Sequence, residues 1–226
     1  MALAVLVHGL HVDSKDWDHL VWGRPLEGLL GRAAQGIVEA VRQNADLIVW
    51  GTGASERGGL KESQYTFNLA RMRADQLTRI TQKYWRTSSL VRYLDRVSVV
   101  DTTTQNTAQE AEAAVRLCME RGIDSLMLVS TPSHVPRCFR DAQAAKKRLR
   151  ASKLRIYATA ADTYYPDEEM NDVVILEVPH RPDRAAPSFA AIAKRLFPFY
   201  RDQSAADALA GDLTRVIEEH ESRLSV

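Results

Sequence analysis

The densest chemistry in the chain lies in Val129-Ser130-Thr131-Pro132-Ser133-His134-Val135-Pro136-Arg137. An apolar run ends there in hydroxyls, Pro136 suits an early helical position, and the open N–H groups of a helix start can receive an anion. His134 and Arg137, three positions apart, would share one helix face. On this reading Ser130, Thr131 and Ser133 hold a phosphate or carboxylate, Arg137 binds it, and His134 donates or accepts a proton. The plainer alternative is that Ser133 caps the helix while His134 and Arg137 face solvent.

Two more polar clusters follow apolar runs in the same way. In Asp101-Thr102-Thr103-Thr104-Gln105-Asn106-Thr107-Ala108-Gln109-Glu110, Thr107 and Glu110 have the Ser/Thr-x-x-Glu spacing of a capping box, and helix initiation is their plainest explanation. A capping box has no need of Asp101. An acid at the carboxyl end of a strand accepts hydrogen bonds from ribose hydroxyls or an ammonium group, so Asp101 and Asn106 are expected to contact ligand, with Thr102 beside them. The stretch from Gly51-Thr52-Gly53 to Lys61-Glu62-Ser63 matches neither the dinucleotide fingerprint nor the phosphate-binding loop. Gly51, Thr52 and Gly53 would still let backbone approach a ligand closely. Glu62 either complements a helix dipole or aims its carboxylate into a cleft, as a general base or as a partner for a ribose or amino group.

The remaining polar groups say less. His8 and His11 end the first apolar run, and His180 follows the last, with Arg181 and Arg184 behind it. With Asp101 and His134 they would have to converge on a metal, but their spacing matches no metal signature, and no metal is expected. Asp13, Asp16, Trp17 and Trp22 fill the first long loop, as a lid or as a structural cluster. The basic stretch 146–150 reads as a solvated helix face.

Positioning these groups at one edge requires a parallel sheet. Short Val/Ile/Leu runs at Leu3–Val7, 46–50, 97–101, Ser125–Ser130, 154–158 and 173–178 alternate with helix-length patterns at 26–42, 62–82, 107–121 and 135–151. In the third helix Ala111, Ala114, Val115 and Cys118 form an i, i+3, i+4, i+7 stripe. This predicts an α/β, Rossmann-like three-layer sandwich with a mostly parallel central sheet of about six strands. The connections 8–25, 51–61 and 159–172 would emerge from the carboxyl ends of strands, where such sheets bind ligands. One domain over 1–226 is expected, with C-terminal helices within 187–223 packing on it; no repeat or linker marks a boundary.

Composition sets the outer bounds. The 226 residues carry 30 Lys+Arg against 29 Asp+Glu, so no strong field implies nucleic acid or an anionic membrane as partner. The chain is long enough to bury roughly 70% of its unfolded surface, so the fold needs no disulfide or metal. Cys118 and Cys138 form no metal or disulfide pattern. Reduced thiols in a cytoplasmic protein are expected. The apolar opening Met1–Val7 lacks a basic segment and is too short for a signal or a span.

The three polar segments, in this order, resemble the SanA/ElyC/YdcF-like family of bacterial proteins. Its glycine-containing turn and Ser-Glu-like helix start are matched by Gly51-Thr52-Gly53 and Lys61-Glu62-Ser63. Its acid, Asn-Thr element and downstream Glu are matched by Asp101, Asn106-Thr107 and Glu110, and its Ser/Thr, His, Arg motif by Ser130-Thr131, His134 and Arg137. The resemblance covers about residues 45–145. It implies a Rossmann-like domain with a polar pocket at the carboxyl edge; some members are associated with S-adenosylmethionine and others with envelope or lipid-carrier metabolism. Envelope members usually carry membrane segments that this chain lacks, and the 8–25 loop and the 177–184 segment have no counterpart.

The expectation is therefore a cytoplasmic small-molecule enzyme that binds S-adenosylmethionine or a related nucleotide, a group transferase of specialised metabolism. Glu62 and Asp101 would hold cationic or hydroxyl groups, Arg137 an anionic group, and His134 would serve as acid or base. Two alternatives stay open: a phosphoester or phosphoanhydride hydrolase or transferase built on the Ser130–Arg137 clamp, and a ligand-binding module without turnover.

Overall fold

The computed structural model describes residues 2–162 except Lys15, Gln82, Lys83 and Trp85, together with Ser204, 207–212, Thr214 and Arg215. Every residue of the first strand, β1 (Leu3–Val7), is buried. A continuous apolar run without alternation demands a sheet covered on both faces. β1 is joined by β2 (Leu47–Trp50), β3 (Ser98–Val100), β4 (Ser125–Ser130) and β5 (Arg155–Ala160) in the order β3-β2-β1-β4-β5, with every pairing parallel. The expected fold class is thus observed, with five strands of the central sheet described; the strand expected over 173–178 lies outside the described residues.

Within residues 2–162 seven helices are described: α1 (Trp17–Val21), α2 (Arg32–Gln43), α3 (Glu62–Met72), α4 (Thr78–Thr81), α5 (Thr87–Val97), α6 (Thr107–Glu120) and α7 (Val135–Arg148). Alternate residues of β1 feed two cores. Leu3, Val5 and Val7 pack with Ile37, Val38 and Val41 of α2 and Leu90 and Leu94 of α5. Ala4 and Leu6 pack with the Ala111, Ala114, Val115, Cys118 stripe of α6 and with Cys138, Ala142 and Ala145 of α7. Each fully buried Val, Leu or Ile stabilises by roughly 1.5–3 kcal/mol, and the small stripe lets α6 lie close to the sheet.

Three departures from the sequence pattern have local causes. The helix expected over 26–42 starts only at Arg32, because Gly28 takes φ 83° after the 3-10 turn Pro25–Glu27 and lets Gly23–Arg24 pair with Leu29–Leu30. The helix expected over 62–82 stops at Met72 and continues as the 3-10 turn Ala74–Leu77 and α4. Helix α5, not expected, buries Leu90, Tyr93, Leu94 and Val97 and runs into β3 without a loop.

The order of strands decides where a site can form. From β1 the chain winds first toward β2 and β3 and then returns to β4 and β5, so the crevice opens at the carboxyl ends of β1 and β4. Val7 is in register with Trp50 on one side and Val129 on the other, which brings His8, Gly51 and Ser130 to one level.

The chain divides into two compact units, 1–175 and 176–226. The first holds the sheet. In the second, Ser204, 207–212, Thr214 and Arg215 are helical, within a segment where a helix is expected. Among the described residues no helix is long and apolar enough to cross a membrane.

Candidate functional site

Past Val7 the segment His8-Gly9-Leu10 is held by side chains from two helices. His8 is buried, and its Nδ1 lies 2.6 Å from Oε2 of Glu110 in the first turn of α6. The other oxygen of Glu110 accepts the Gly9 N–H at 3.1 Å. Arg32, which opens α2 and is itself buried, donates to the carbonyls of His8 and Gly9 and, at 3.3 Å, to Oγ1 of Thr131 after β4. One guanidinium thus ties the end of β1 to the end of β4.

On the β2 side, the Thr52 hydroxyl and the Gly53 N–H both donate to the Thr104 carbonyl, locking the loop after β2 to the loop after β3. Gly53 has to be glycine: a Cβ there would lie 2.0 Å from the Thr102 carbonyl oxygen. Ser55 then donates to Oε2 of Glu62 at 2.6 Å and accepts the Val12 N–H at 3.0 Å. Glu62, the first residue of α3, is 1% exposed, and its Oε1 has no well-formed hydrogen-bond partner.

These groups enclose a cavity of about 380 Å³ at the carboxyl edge of the sheet, within the range of small-molecule sites. Glu62, Glu110, Arg32, Thr131 and His134 line it, with Thr52, Asn106, Thr107 and Ser133 among the remaining polar groups. Of the described residues that line it, Arg32 is the one lysine or arginine. The imidazole of His134 meets Oγ1 of Thr107 through Nε2 at 3.2 Å.

The protonation states are set by burial and by close partners. Burial pushes Glu62 up to about 7; the charge of Glu110 adds to this, while the Ser55 hydroxyl, the Arg32 charge and the nearby Leu10 N–H oppose it. Burial alone would lower His8, but the Glu110 carboxylate and the Cys138 thiol raise it to about 9. Burial would likewise raise Glu110, yet the His8 charge, its hydrogen bond and the Gly9 N–H hold it below the usual carboxylate value. A carboxyl near 7 in a cleft is a proton donor or acceptor at neutral pH.

Comparison with family models, with curated proteins and with solved structures finds no match for the chain.

The expected site residues divide into two groups. Thr52, Glu62, Asn106, Thr131, Ser133 and His134 line the cavity. Gly51, Gly53, Asp101, Thr102, Ser130 and Arg137 do not. Oδ1 of Asp101 accepts the Thr103 and Thr104 N–H groups and the Thr103 hydroxyl, so it shapes its own loop, and these bonds keep its carboxyl below the usual value against the effect of burial. Arg137 is exposed, with its Nε 3.8 Å from Asp141. Ser130 is buried within the sheet. Gly51 acts from behind: a Cβ on it would lie 2.2 Å from Oε1 of Glu110. His180, Arg181 and Arg184 lie outside the described residues.

The expected capping roles are reassigned. Asn106 is the N-cap of α6, its Oδ1 accepting the Gln109 N–H at 3.0 Å, while Glu110 turns to His8 and Thr107 to His134. The N-cap of α7 is His134, not Ser133. Nothing in the local sequence pattern links His8, Arg32 and Ser55 to this assembly. Among the described residues no group of three or more His, Cys, Asp or Glu side chains is placed to hold a metal ion.

Proposed function

We propose that the protein is a small-molecule enzyme that binds S-adenosylmethionine or a related nucleotide in the cavity at the carboxyl ends of β1 and β4, and transfers a group from or to it. The observation that carries this reading is the oxygen Oε1 of Glu62, buried in the cavity wall and lacking a well-formed partner. A buried polar atom left open costs about 1–3 kcal/mol unless something completes it. A ligand hydroxyl or amino group would complete it. The resemblance of the Gly51-Thr52-Gly53, Asp101–Glu110 and Ser130–Arg137 segments to the SanA/ElyC/YdcF-like family supports the same ligand class. Glu62, near 7, and His134 then supply the proton-transfer groups that face the ligand.

Phosphoryl transfer finds less support. Arg32 already donates to two carbonyls and a hydroxyl, and Arg137, the expected phosphate clamp, is exposed beside Asp141. The test is thermal stabilisation of the purified protein by S-adenosylmethionine, S-adenosylhomocysteine, nucleotides, nicotinamide cofactors and phosphate sugars. A rise in Tm with S-adenosylmethionine that disappears in Glu62→Ala is the expected result. A rise with phosphate compounds alone would overturn it in favour of phosphoryl transfer, and binding without turnover on any acceptor would leave a ligand-binding module.

A further inference from the structure

One hydroxyl beside the cavity sits between a backbone donor and an acid. Oγ of Ser55 accepts the Val12 N–H at 3.0 Å and lies 2.6 Å from Oε2 of Glu62. Ser55 is buried, and among the described residues Glu62 is the one acceptor that its hydroxyl meets. The backbone around the pair is fixed as well. The Ser55 carbonyl accepts the Glu62 N–H at 2.9 Å and the Thr52 carbonyl accepts the Ser63 N–H at 3.0 Å, so the loop after β2 closes the N-terminus of α3. The second oxygen of Glu62, Oε1, lies against Gly9, which lines the cavity, and has no well-formed partner.

We propose that Ser55 is a positioning residue that keeps the exchangeable proton of Glu62 on Oε1, so that the carboxyl gives and takes its proton at the oxygen set in the cavity wall.

The argument is a count of donors and acceptors. A serine hydroxyl has one hydrogen and two lone pairs. One lone pair of Ser55 takes the Val12 N–H, which can only donate. With the hydroxyl hydrogen given to Oε2, that atom is the carbonyl oxygen of the neutral acid, and the proton belongs to Oε1. In the reverse arrangement Oε2–H would donate to Ser55, and the serine hydrogen would be left without an acceptor in a buried place, where it keeps the full cost of leaving water. The ionised carboxylate accepts the same Ser55 bond. Neither the hydroxyl nor its contact with Val12 therefore has to move when the proton leaves or returns.

The surroundings keep both forms of the acid accessible near neutrality. Burial and the charge of Glu110 from α6 push Glu62 up to about 7 against the Ser55 bond, the charge of Arg32 from α2 and the Leu10 N–H. His11 and His134 are the other titratable groups lining the cavity, and Lys61, next to Glu62 in the chain, turns to Glu56 at 2.8 Å. The inference deepens the function proposed above, in which Glu62 faces the ligand; the place of its proton stands without that reading.

The test needs no ligand. The infrared band of the neutral carboxyl is isolated between pH 4.5 and 7 as the difference between wild type and Glu62→Gln, and is then followed against pH. Its C=O frequency falls when the carbonyl oxygen accepts a hydrogen bond. The wild type is expected to show a low-frequency band that disappears with a midpoint near pH 7. In Ser55→Ala the band should move to higher frequency and its midpoint rise by about one pH unit, because a hydrogen bond to the charged form is lost. Ser55→Cys, whose thiol is a weaker donor, should shift both in the same direction by less, and it serves should Ser55→Ala fail to fold. Ser55→Thr keeps the hydroxyl and should restore both values. A wild-type band already at the frequency of an unbonded carbonyl, or one that Ser55→Ala leaves in place, would put the proton on Oε2 and overturn the proposal, as would the absence of any Glu62 band in this range. A merely structural role for Ser55 would lower Tm and leave frequency and midpoint unmoved. Failure of S-adenosylmethionine to bind would leave all of these readouts standing and would bear on the proposed function alone.

Discussion

Nδ1 of His8 and Oε2 of Glu110 lie 2.6 Å apart although 102 positions separate them in the chain. The contact follows from the winding of the sheet. Helix α6 leads from β3 back over the sheet to β4, and its first turn arrives above the end of β1, the strand that β4 joins. Both partners are within 3% of complete burial, so the pair is part of the wall of the cavity and part of the fold at once.

Glu110→Gln should therefore be costly to the fold. Removing one partner of a buried pair leaves the other uncompensated and costs about 3–5 kcal/mol. The raised value of His8, about 9 against 6.5, contributes stability that is fully present below 6.5 and lost as pH rises through about 9. The lowered value of Glu110 contributes stability present above 4.5 and lost as pH falls. Urea unfolding of wild type and variant should differ most between about pH 5 and 6.5, less as pH rises further, and converge above about pH 9.

Glu62→Gln should act in the opposite direction. A carboxyl raised to about 7 from 4.5 favours the fold only while protonated, so its contribution is present below 4.5 and lost as pH rises through 7. The amide cannot ionise, and its oxygen can still accept the Ser55 hydroxyl. The variant is expected to be more stable than wild type by ~2 kcal/mol at pH 8 and indistinguishable from it near pH 4. Thermal unfolding at the two pH values decides; equal differences at both would show that Glu62 is ionised throughout.

The two arginines near the site separate in the same way. Arg32→Lys loses the planar fork that reaches two carbonyls and the Thr131 hydroxyl, and the ammonium cannot span them. A loss of about 2–4 kcal/mol and of ligand stabilisation is expected. Arg137→Ala removes an exposed side chain whose nearest acid is 3.8 Å away, so stability should change by less than about 0.5 kcal/mol and ligand binding not at all. A binding defect in Arg137→Ala, measured by thermal shift, would restore the phosphate clamp expected from the sequence.

The strands and the lead residues of the cavity were legible because both rest on local pattern. Short apolar runs separated by helical stretches dictate a parallel sheet, and the polar residues that follow each run must gather at its carboxyl edge, as Glu62, Asn106, Thr131 and His134 do. What stayed hidden depends on long-range partners. Glu110 fits a capping box so well by spacing that nothing local points to His8, and Arg32 sits within a helix pattern where it reads as a surface charge. Helix α5 was legible in principle: Leu90, Tyr93, Leu94 and Val97 carry the i, i+3, i+4, i+7 stripe that revealed α6. Arg137 misled because its spacing from His134 places it on the same helix without saying whether the chain reaches the cavity from that turn.

Two glycines at this edge should give different phenotypes when replaced by alanine, and the contrast separates site from scaffold. A Cβ on Gly9 would lie 1.9 Å from Oε1 of Glu62, at the end of a side chain that can rotate away, 2.6 Å from Cγ2 of Thr52 and 3.0 Å from the Gly51 carbonyl oxygen, which must give by a few tenths of an ångström. The backbone there needs no left-handed conformation, so Gly9→Ala should fold with a loss of about 1–2 kcal/mol. Its methyl group, however, occupies the space in front of the open carboxyl oxygen and forces Glu62 off Ser55, so ligand stabilisation should vanish. A Cβ on Gly53 would meet the Thr102 carbonyl oxygen at 2.0 Å and its carbon at 2.5 Å, which are backbone atoms held by the Thr52 and Gly53 bonds to Thr104. Gly53→Ala must part the loops after β2 and β3, at a cost of about 3 kcal/mol or more. Circular dichroism melts and ligand-induced Tm shifts on the two variants give the answer: retained binding in Gly9→Ala would place the ligand elsewhere than beside Glu62.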